Sequence, residues 1–140
     1  MSRVLVDTHV FLFLVDDIER VPRSFHRAID EATERYLSAA SAWEMVIKVS
    51  LGKLRLPESA EKYIPSRTSE LLMRSLPITQ RHAVRAGTLP LLHRDPFDRM
   101  LVAQSLEEDL LLLTLDPRVL RYGVRAPEIA ERRAKRSRRR

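Results

Sequence analysis

A chain of 140 residues is long enough to bury one hydrophobic core, and without cysteine it can form neither disulfides nor thiolate metal sites. Its residues are 44% hydrophobic and 31% charged, as in a globular protein, and we expect it in a reducing cytoplasm. The apolar run at residues 10–15 is too short to span a bilayer and lacks a signal-peptide cleavage pattern, so no membrane association is expected.

The formal net charge of +6 is concentrated at the C-terminus. Residues 132–140 carry seven of the 25 basic residues and no acidic one, so 18 basic residues face 19 acidic ones in the remainder. We therefore predict a folded domain over residues 1–131 and a disordered basic tail over residues 132–140. The tail either contacts nucleic-acid phosphates or keeps the protein in solution, and its composition suits both roles equally.

The first half of the chain alternates strands with helices. The predicted elements are a strand at residues 4–6, a helix at 9–15, a helix from Pro22, a strand at 35–38 and a helix at 41–51 that Gly52 ends. The strands are short and wholly or largely apolar, which is typical of a parallel sheet covered on both faces.

The second half continues the alternation. The predicted elements are a helical stretch at 58–74 interrupted by Pro65, a strand at 76–78, helices at 80–87 and 96–108, a strand at 110–115 and a last helical turn after Pro127. Thr79 and Asp95 are the predicted N-caps of two of these helices, and Pro96 suits the first helical position. The pattern predicts an α/β fold with a central, mainly parallel sheet.

Four acidic residues stand where strands end or helices begin. Asp7 and Asp116 follow predicted strands, whereas Glu44 and Asp98 lie in the first turns of predicted helices. Strand ends and helix starts share one edge of a parallel sheet, and ligands bind there. Several ionised carboxylates need a cation to sit together, and oxygen ligands suit Mg²⁺ or Mn²⁺. The placement therefore predicts metal-dependent phosphate chemistry.

Each acid taken alone also has an ordinary structural role. Asp7 can cap the helix at 9–15, and Glu44 stands at capping-box spacing from Ser41. Asp98 suits the positive end of its helix dipole, and Asp116 before proline is a common turn residue. These roles do not require all four acids at one sheet edge, so their joint placement favours the metal site.

Neighbouring polar residues are weaker candidates. Thr8 and Thr114 suit contacts with a metal-bound water or a phosphate, and they are also ordinary cap and strand residues. Arg94 and Arg99 flank Asp98 and could bind a phosphate, although exposed surface arginines are commoner.

The remaining residues near the acids have simpler predicted roles. Lys48 is predicted to pair with Glu44 one turn earlier. His9 and His93 do not form a metal-ligand spacing, and neither is predicted to act as a catalytic base. Trp43 and Phe97 could stack on bases, but core packing is the favoured interpretation for both.

Four ordered blocks resemble one protein family. They are residues 4–9 (VLVDTH), 38–48 (SAASAWEMVIK), 93–104 (HRDPFDRMLVAQ) and 113–116 (LTLD). Together they are similar to PIN-domain proteins, most of all to the VapC-type toxins of bacterial toxin–antitoxin systems. The resemblance spans residues 3 to about 122, and the third block is its most specific part. The arginine-rich tail is a departure that the family pattern does not require.

The resemblance implies a three-layer α/β/α fold and a Mg²⁺-dependent endoribonuclease, with Mn²⁺ as a substitute. It also implies an inhibitory antitoxin, and a homodimer or a heteromeric toxin–antitoxin complex. The family's acidic site carries over to Asp7, Glu44, Asp98 and Asp116. Asp7 and Asp98 are the favoured direct ligands, with the other two holding metal-bound waters or a second ion. A splayed single-stranded RNA loop would best reach such a site.

Two other functions remain open from the sequence. A non-catalytic nucleic-acid-binding protein would use the tail, with the acids serving only as helix caps. A small phosphatase would use Asp7 as nucleophile, although His9 occupies the position where such enzymes carry a second aspartate.

An antitoxin helix could bind an exposed apolar patch on the N-terminal helices, and the alternative is that these side chains fill the core or a homodimer interface. The patch would comprise Phe11, Leu12, Leu14, Val15, Phe25 and Ile29.

Overall fold

The computed structural model describes residues 2–129. Four strands and seven α-helices lie within this part of the chain, with a 3₁₀ turn at Ile18–Arg20. The elements in chain order are β1 Arg3–Val6, α1 Thr8–Asp16, α2 Arg23–Glu31, β2 Glu34–Ser38, α3 Ala39–Ser50, α4 Ala60–Glu70, β3 Arg74–Leu76, α5 Gln80–Thr88, α6 Pro96–Glu108, β4 Leu111–Leu113 and α7 Pro117–Leu120.

The strands form one parallel sheet in the order β3-β2-β1-β4. At its centre, Leu5 of β1 is in register with Tyr36 of β2 and Leu112 of β4. The chain builds outward from β1 through β2 to β3 and then returns to add β4 on the other side of β1. The carboxyl ends of β1 and β4 therefore meet at a topological switch point, where α/β folds bind ligands.

The sheet separates two hydrophobic clusters. Val4 and Val6 point into one cluster with buried residues of α1, α2, α3 and α4, whereas Leu5 points into the other with residues of α6. Alternate residues of a strand face opposite sides of a sheet, so a strand that is apolar throughout must be covered twice. The predicted three-layer α/β/α architecture with a parallel sheet is confirmed.

The predicted exposed apolar patch on the N-terminal helices is wrong for half of its residues. Phe11, Leu14 and Phe25 are buried in the first cluster, and Leu12, Val15 and Ile29 are partly buried against it. The cluster also contains Tyr63 of α4, which is one reason α1 is apolar over more than one stripe. The alternative that these side chains fill the core is confirmed for the three buried residues, and the other three pack at the edge of the cluster.

Helix boundaries follow local capping chemistry. α6 begins and ends at the predicted residues because the side chain of Asp95 caps it and Pro96 occupies its first position. α3 begins earlier than predicted, because Ser38 rather than Ser41 accepts the capping hydrogen bond from Ala40. The predicted capping box of Ser41 with Glu44 is therefore wrong, and Glu44 lies beyond the first turn.

Other boundaries differ modestly. Pro65 lies inside α4 rather than interrupting it, and β3 lies two residues before the predicted strand. The turn predicted at Asp116-Pro117 is the start of the short helix α7. The domain boundary predicted at residue 131 and the tail 132–140 lie outside the described residues. Within residues 2–129, none of the helices has the length and apolar character that crossing a membrane requires.

A capping pair tests this account of the helix starts. Thr79 Oγ1 accepts the His82 N–H at 3.1 Å, and His82 Nδ1 accepts the Thr79 N–H at 3.1 Å, whereas Ser59 before α4 makes no side-chain capping bond. Thr79→Ala should lower the free energy of unfolding by about 1 kcal/mol. Ser59→Ala, the matched control, should change it by less than about 0.5 kcal/mol. Urea denaturation measures both, and equal losses would contradict the assignment.

Candidate metal centre

Asp7 lies at the switch point between β1 and β4. It follows β1 directly and is buried. Its Oδ1 accepts the His9 N–H at 2.8 Å, and its Oδ2 accepts the Thr114 hydroxyl at 2.7 Å. Because Thr114 follows β4, this bond ties the ends of the two strands together. Asp7 is thus a helix cap, as one interpretation of the sequence held, and Thr114 fixes the orientation of its carboxylate.

Glu44 enters the same region from α3. Its side chain is buried, and its Oε2 lies 3.0 Å from Lys48 Nζ one turn later. The predicted ion pair is confirmed. A carboxylate with this little exposure to water needs such a partner, or a cation, to remain ionised.

Asp98 and Asp116 converge with a histidine. His93 Nε2 is hydrogen-bonded with Asp98 Oδ2 at 2.7 Å and lies 3.9 Å from Asp116 Oδ2. The three residues each present a possible ligand atom, and these atoms all lie within 4.8 Å of one another. Asp7 and Glu44 are not members of this tighter group among the described residues.

The pKa of Asp98 reflects both its burial and the neighbouring acids. Burial is the largest of the effects that raise the pKa of Asp98 to about 6, and the hydrogen bond with His93 opposes the rise. Repulsion from Asp95, Asp7 and Glu44 contributes to the same raised value. Asp98 therefore shares one electrostatic neighbourhood with Asp7 and Glu44.

Asp116 has a partner that keeps it ionised. Its carboxylate caps α7 by accepting the Arg118 N–H at 2.9 Å, and it accepts the Arg118 guanidinium at 3.2 Å. Burial alone would raise the pKa of Asp116, but these bonds outweigh burial and lower it. The centre thus combines a carboxyl that is easily protonated with one that is not.

Arg99 organises the loop that precedes α6. Its guanidinium donates to five acceptors, each within 3.3 Å. They are the carbonyl oxygens of Ala86, Leu89, Pro90 and His93 and the hydroxyl of Tyr122. These hydrogen bonds give Arg99 a structural role, and they argue against the predicted contact between Arg99 and substrate.

Two buried hydroxyls lack partners beside the acids. Thr8 Oγ1 next to Asp7, and Ser41 Oγ one turn before Glu44, are buried without a hydrogen-bond partner among the described atoms. Such orphaned groups usually mark an ordered water or ion. Together with the carboxylate oxygens, they form a donor set that fits a hard divalent cation and its waters.

A cavity of about 490 Å³ opens next to the centre. Arg94 and Arg118 bring positive charge to its wall, where a phosphate could be held. The cavity is lined by Leu91, Leu92, His93, Arg94, Asp95 and Arg118.

Sequence reasoning missed His93 and misplaced Trp43. A loop whose path depends on Arg99 brings His93 to Asp98, so the spacing of residues along the chain could not reveal this contact. The position of His93 two residues before the Asp95 cap was the only indication in the sequence. Trp43 was expected in the core but is 61% exposed. Its ring meets that of Phe97 edge-on, with centroids 5.5 Å apart.

The raised pKa of Asp98 sets the pH dependence of stability in the absence of metal. The Asp98 carboxyl has a pKa of about 6 in the folded state and the ordinary pKa of 3.8 in the unfolded state. As the pH falls from 6 to 3.8, the folded state therefore binds a proton that the unfolded state does not, and the free energy of unfolding rises. Above pH 6 its ionisation is unfavourable to folding. In EDTA at pH 7, Asp98→Asn should therefore exceed the wild type in unfolding free energy by about 1 kcal/mol, a value discounted for partial exposure. The difference should vanish near pH 4.

Urea denaturation at several pH values measures this difference. Asp109→Asn, which changes an exposed aspartate at the other end of α6, is the matched control and should show no such dependence. A wild type that gains stability over Asp98→Asn as the pH rises would contradict the environment described for Asp98.

Comparisons with known proteins agree with this geometry. The sequence matches the PIN domain family over residues 4–124. A comparison with curated proteins found no match.

Three solved structures share the fold at low sequence identity. DNA-bound VapBC from Salmonella typhimurium has 17% identity and a TM-score of 0.67, covering 90% of this chain and 97% of that one. VapBC2 from Rickettsia felis bound to a promoter DNA fragment has 13% identity and a TM-score of 0.64, covering 89% and 96%. FitAcB from Neisseria gonorrhoeae has 18% identity and a TM-score of 0.62, covering 91% and 98%. Because the family match spans most of the chain, this protein belongs to the PIN domain family.

Proposed function

We propose that this protein is a divalent-metal-dependent endoribonuclease that acts in the cytoplasm as the toxin of a toxin–antitoxin pair. The observation that carries the proposal is the convergence of Asp98 and Asp116 at the carboxyl edge of the sheet, with Asp7 and Glu44 in the same electrostatic neighbourhood. Helix capping explains the positions of Asp7 and Asp116. It explains neither Glu44 nor why Asp98 has a raised pKa near two further acids.

The oxygen-rich donor set favours Mg²⁺, with Mn²⁺ as an alternative. The sequence favoured Asp7 and Asp98 as direct ligands. The geometry instead favours Asp98 and Asp116, because a carboxylate oxygen of each lies within 4.8 Å of the other and of His93. In this proposal Asp7 and Glu44 bind waters of the ion, together with the hydroxyl of Thr8.

Each part of the chain then has a role in phosphodiester hydrolysis. When bound, a divalent ion neutralises phosphate charge and lowers the pKa of an attacking water. Arg94 and Arg118 hold the phosphate in the adjacent cavity. Thr114 keeps the Asp7 carboxylate oriented through its 2.7 Å hydrogen bond, and Arg99 keeps the cavity wall in place.

Single-stranded RNA is the proposed substrate class. Trp43 directly precedes Glu44, Phe97 directly precedes Asp98, and their rings are in contact. An exposed tryptophan beside the carboxylates suits stacking with an unpaired base, which contributes about 1–3 kcal/mol per base. The resemblance to VapC-type toxins favours RNA over DNA.

Metal-dependent cleavage is the first test of the proposal. Purified protein should cleave the unpaired loops of a structured RNA with Mg²⁺ or Mn²⁺, and cleavage should stop in EDTA. Asp98→Asn should lower the cleavage rate by about 100-fold or more, because it removes a ligand charge but little volume. Asp109→Asn makes the same chemical change at the far end of α6 and should keep full activity. Cleavage in EDTA, or by Asp98→Asn at the wild-type rate, would refute the proposal.

An antitoxin is the proposed protein partner. The VapBC and FitAcB structures share this fold, and a free ribonuclease would damage the cell that makes it. We propose that the inhibitor is encoded by an adjacent gene and that the two proteins form a heteromeric complex, with or without a homodimer of this chain.

Co-expression tests the partner directly. The protein encoded next to this gene should co-purify with the tagged chain, and the complex should cleave RNA at least about tenfold more slowly than the free protein. A complex as active as the free chain, or no co-purification, would contradict the inhibitory role.

A further inference from the structure

We propose that His93 is a nitrogen ligand of the metal in this centre and that it makes the site prefer Mn²⁺ to Mg²⁺. The inference rests on the metal site of the proposed function, and it is independent of the substrate. The four acids supply only oxygen, so a nitrogen ligand would change which cation the protein binds best.

The distances fit a shared ion. Neighbouring ligands of an octahedral ion with bonds of about 2.1 Å lie about 3 Å apart, and opposite ligands about 4 Å apart. His93 Nε2 lies 2.7 Å from Asp98 Oδ2 and 3.9 Å from Asp116 Oδ2, and the whole group fits within 4.8 Å. Small adjustments would admit an ion in place of the proton that now joins His93 to Asp98.

The ring is held in this position by its own loop. The His93 N–H donates to Tyr122 Oη at 3.0 Å, and the His93 carbonyl accepts Arg99 Nη1 at 3.3 Å. Tyr122 Oη also donates to the Pro90 carbonyl at 2.8 Å, which fixes the loop upstream. The His93 side chain is only 7% exposed. The backbone of His93 is thus anchored at both polar groups, and its buried ring is directed at two carboxylates, which preorganises it as a ligand.

The chemical consequence is metal selectivity. Mg²⁺ prefers oxygen ligands and keeps its waters, whereas imidazole suits transition metals better. A site built from oxygen ligands alone would bind the two ions with similar affinity. With His93 in the coordination sphere, Mn²⁺ gains a bond that Mg²⁺ accepts poorly.

A structural alternative exists for His93. It could orient Asp98 by hydrogen bonding and never touch the ion, and its loss would then weaken both metals alike. A second nitrogen source is also near, because His9 Nδ1 lies 3.7 Å from Asp7 Oδ1. The experiment has to separate these roles.

Pulsed electron paramagnetic resonance of Mn²⁺ bound to the full-length protein detects a directly coordinated ¹⁴N. The wild type should show this coupling, and His93→Gln should lose it. His9→Gln removes the other nearby imidazole, and His26→Gln removes one from α2; both should retain the coupling. In the same samples, Mn²⁺ affinity should fall at least about tenfold in His93→Gln, while Mg²⁺ affinity, measured by competition, should change less than about threefold.

Several outcomes would overturn the inference. They are a wild type without nitrogen coupling, coupling that persists in His93→Gln, coupling lost in His9→Gln, and equal weakening of both metals. If His93→Gln does not fold by circular dichroism, the wild-type, His9→Gln and His26→Gln spectra still decide, because the fourth histidine, His82, is buried against Glu108 at the other end of α6.

RNA cleavage is measured separately on the same preparations. Nitrogen coupling without cleavage would refute the proposed function and leave the ligand assignment standing. Cleavage without nitrogen coupling would refute the ligand assignment and leave the proposed function standing.

Discussion

The parallel pairing of β1 with β4 determines where the polar residues of the centre lie. Asp7 and Thr114 follow these two strands, and the hydrogen bond between them closes the switch point of the sheet. α1 and α7 then start at this edge, and their caps are Asp7 and Asp116 themselves. Asp7 and Asp116 therefore serve both the fold, as helix caps at the sheet edge, and the candidate metal centre.

Gathering carboxylates at one edge works against stability. Glu44 and Asp7 are buried, and Asp98 is held near its point of protonation by burial and by the surrounding acids. Lys48 and Arg118 each offset the charge of one acid, but neither pairs with Asp98. A divalent cation would relieve this repulsion and stabilise the folded state by binding it selectively. In the proposed function, the stability lost to this repulsion in the metal-free protein would be regained when the ion binds.

The sequence predicted the fold well where local chemistry was unambiguous. α6 was placed correctly because Asp95-Pro96 leaves little choice for its start, and the parallel sheet followed from apolar strands alternating with helices. α3 was misplaced because Ser38 and Ser41 are both plausible caps, and the end of β2 selects the first. His93 and Arg99 could not be assigned, because their roles depend on a loop whose path is set by contacts with Tyr122, distant in sequence. The exposure of Trp43 likewise depends on tertiary packing, because it is set by which face of α3 the other elements leave open to solvent.

The central claim is that a divalent cation binds between Asp98 and Asp116 at the edge of the sheet. Anomalous X-ray diffraction from crystals equilibrated with Mn²⁺ tests it most directly. The account predicts one strong anomalous peak within about 2.5 Å of carboxylate oxygens from both residues. Saturating Mn²⁺ that produces no peak there, or a peak only at surface acids elsewhere, would contradict it.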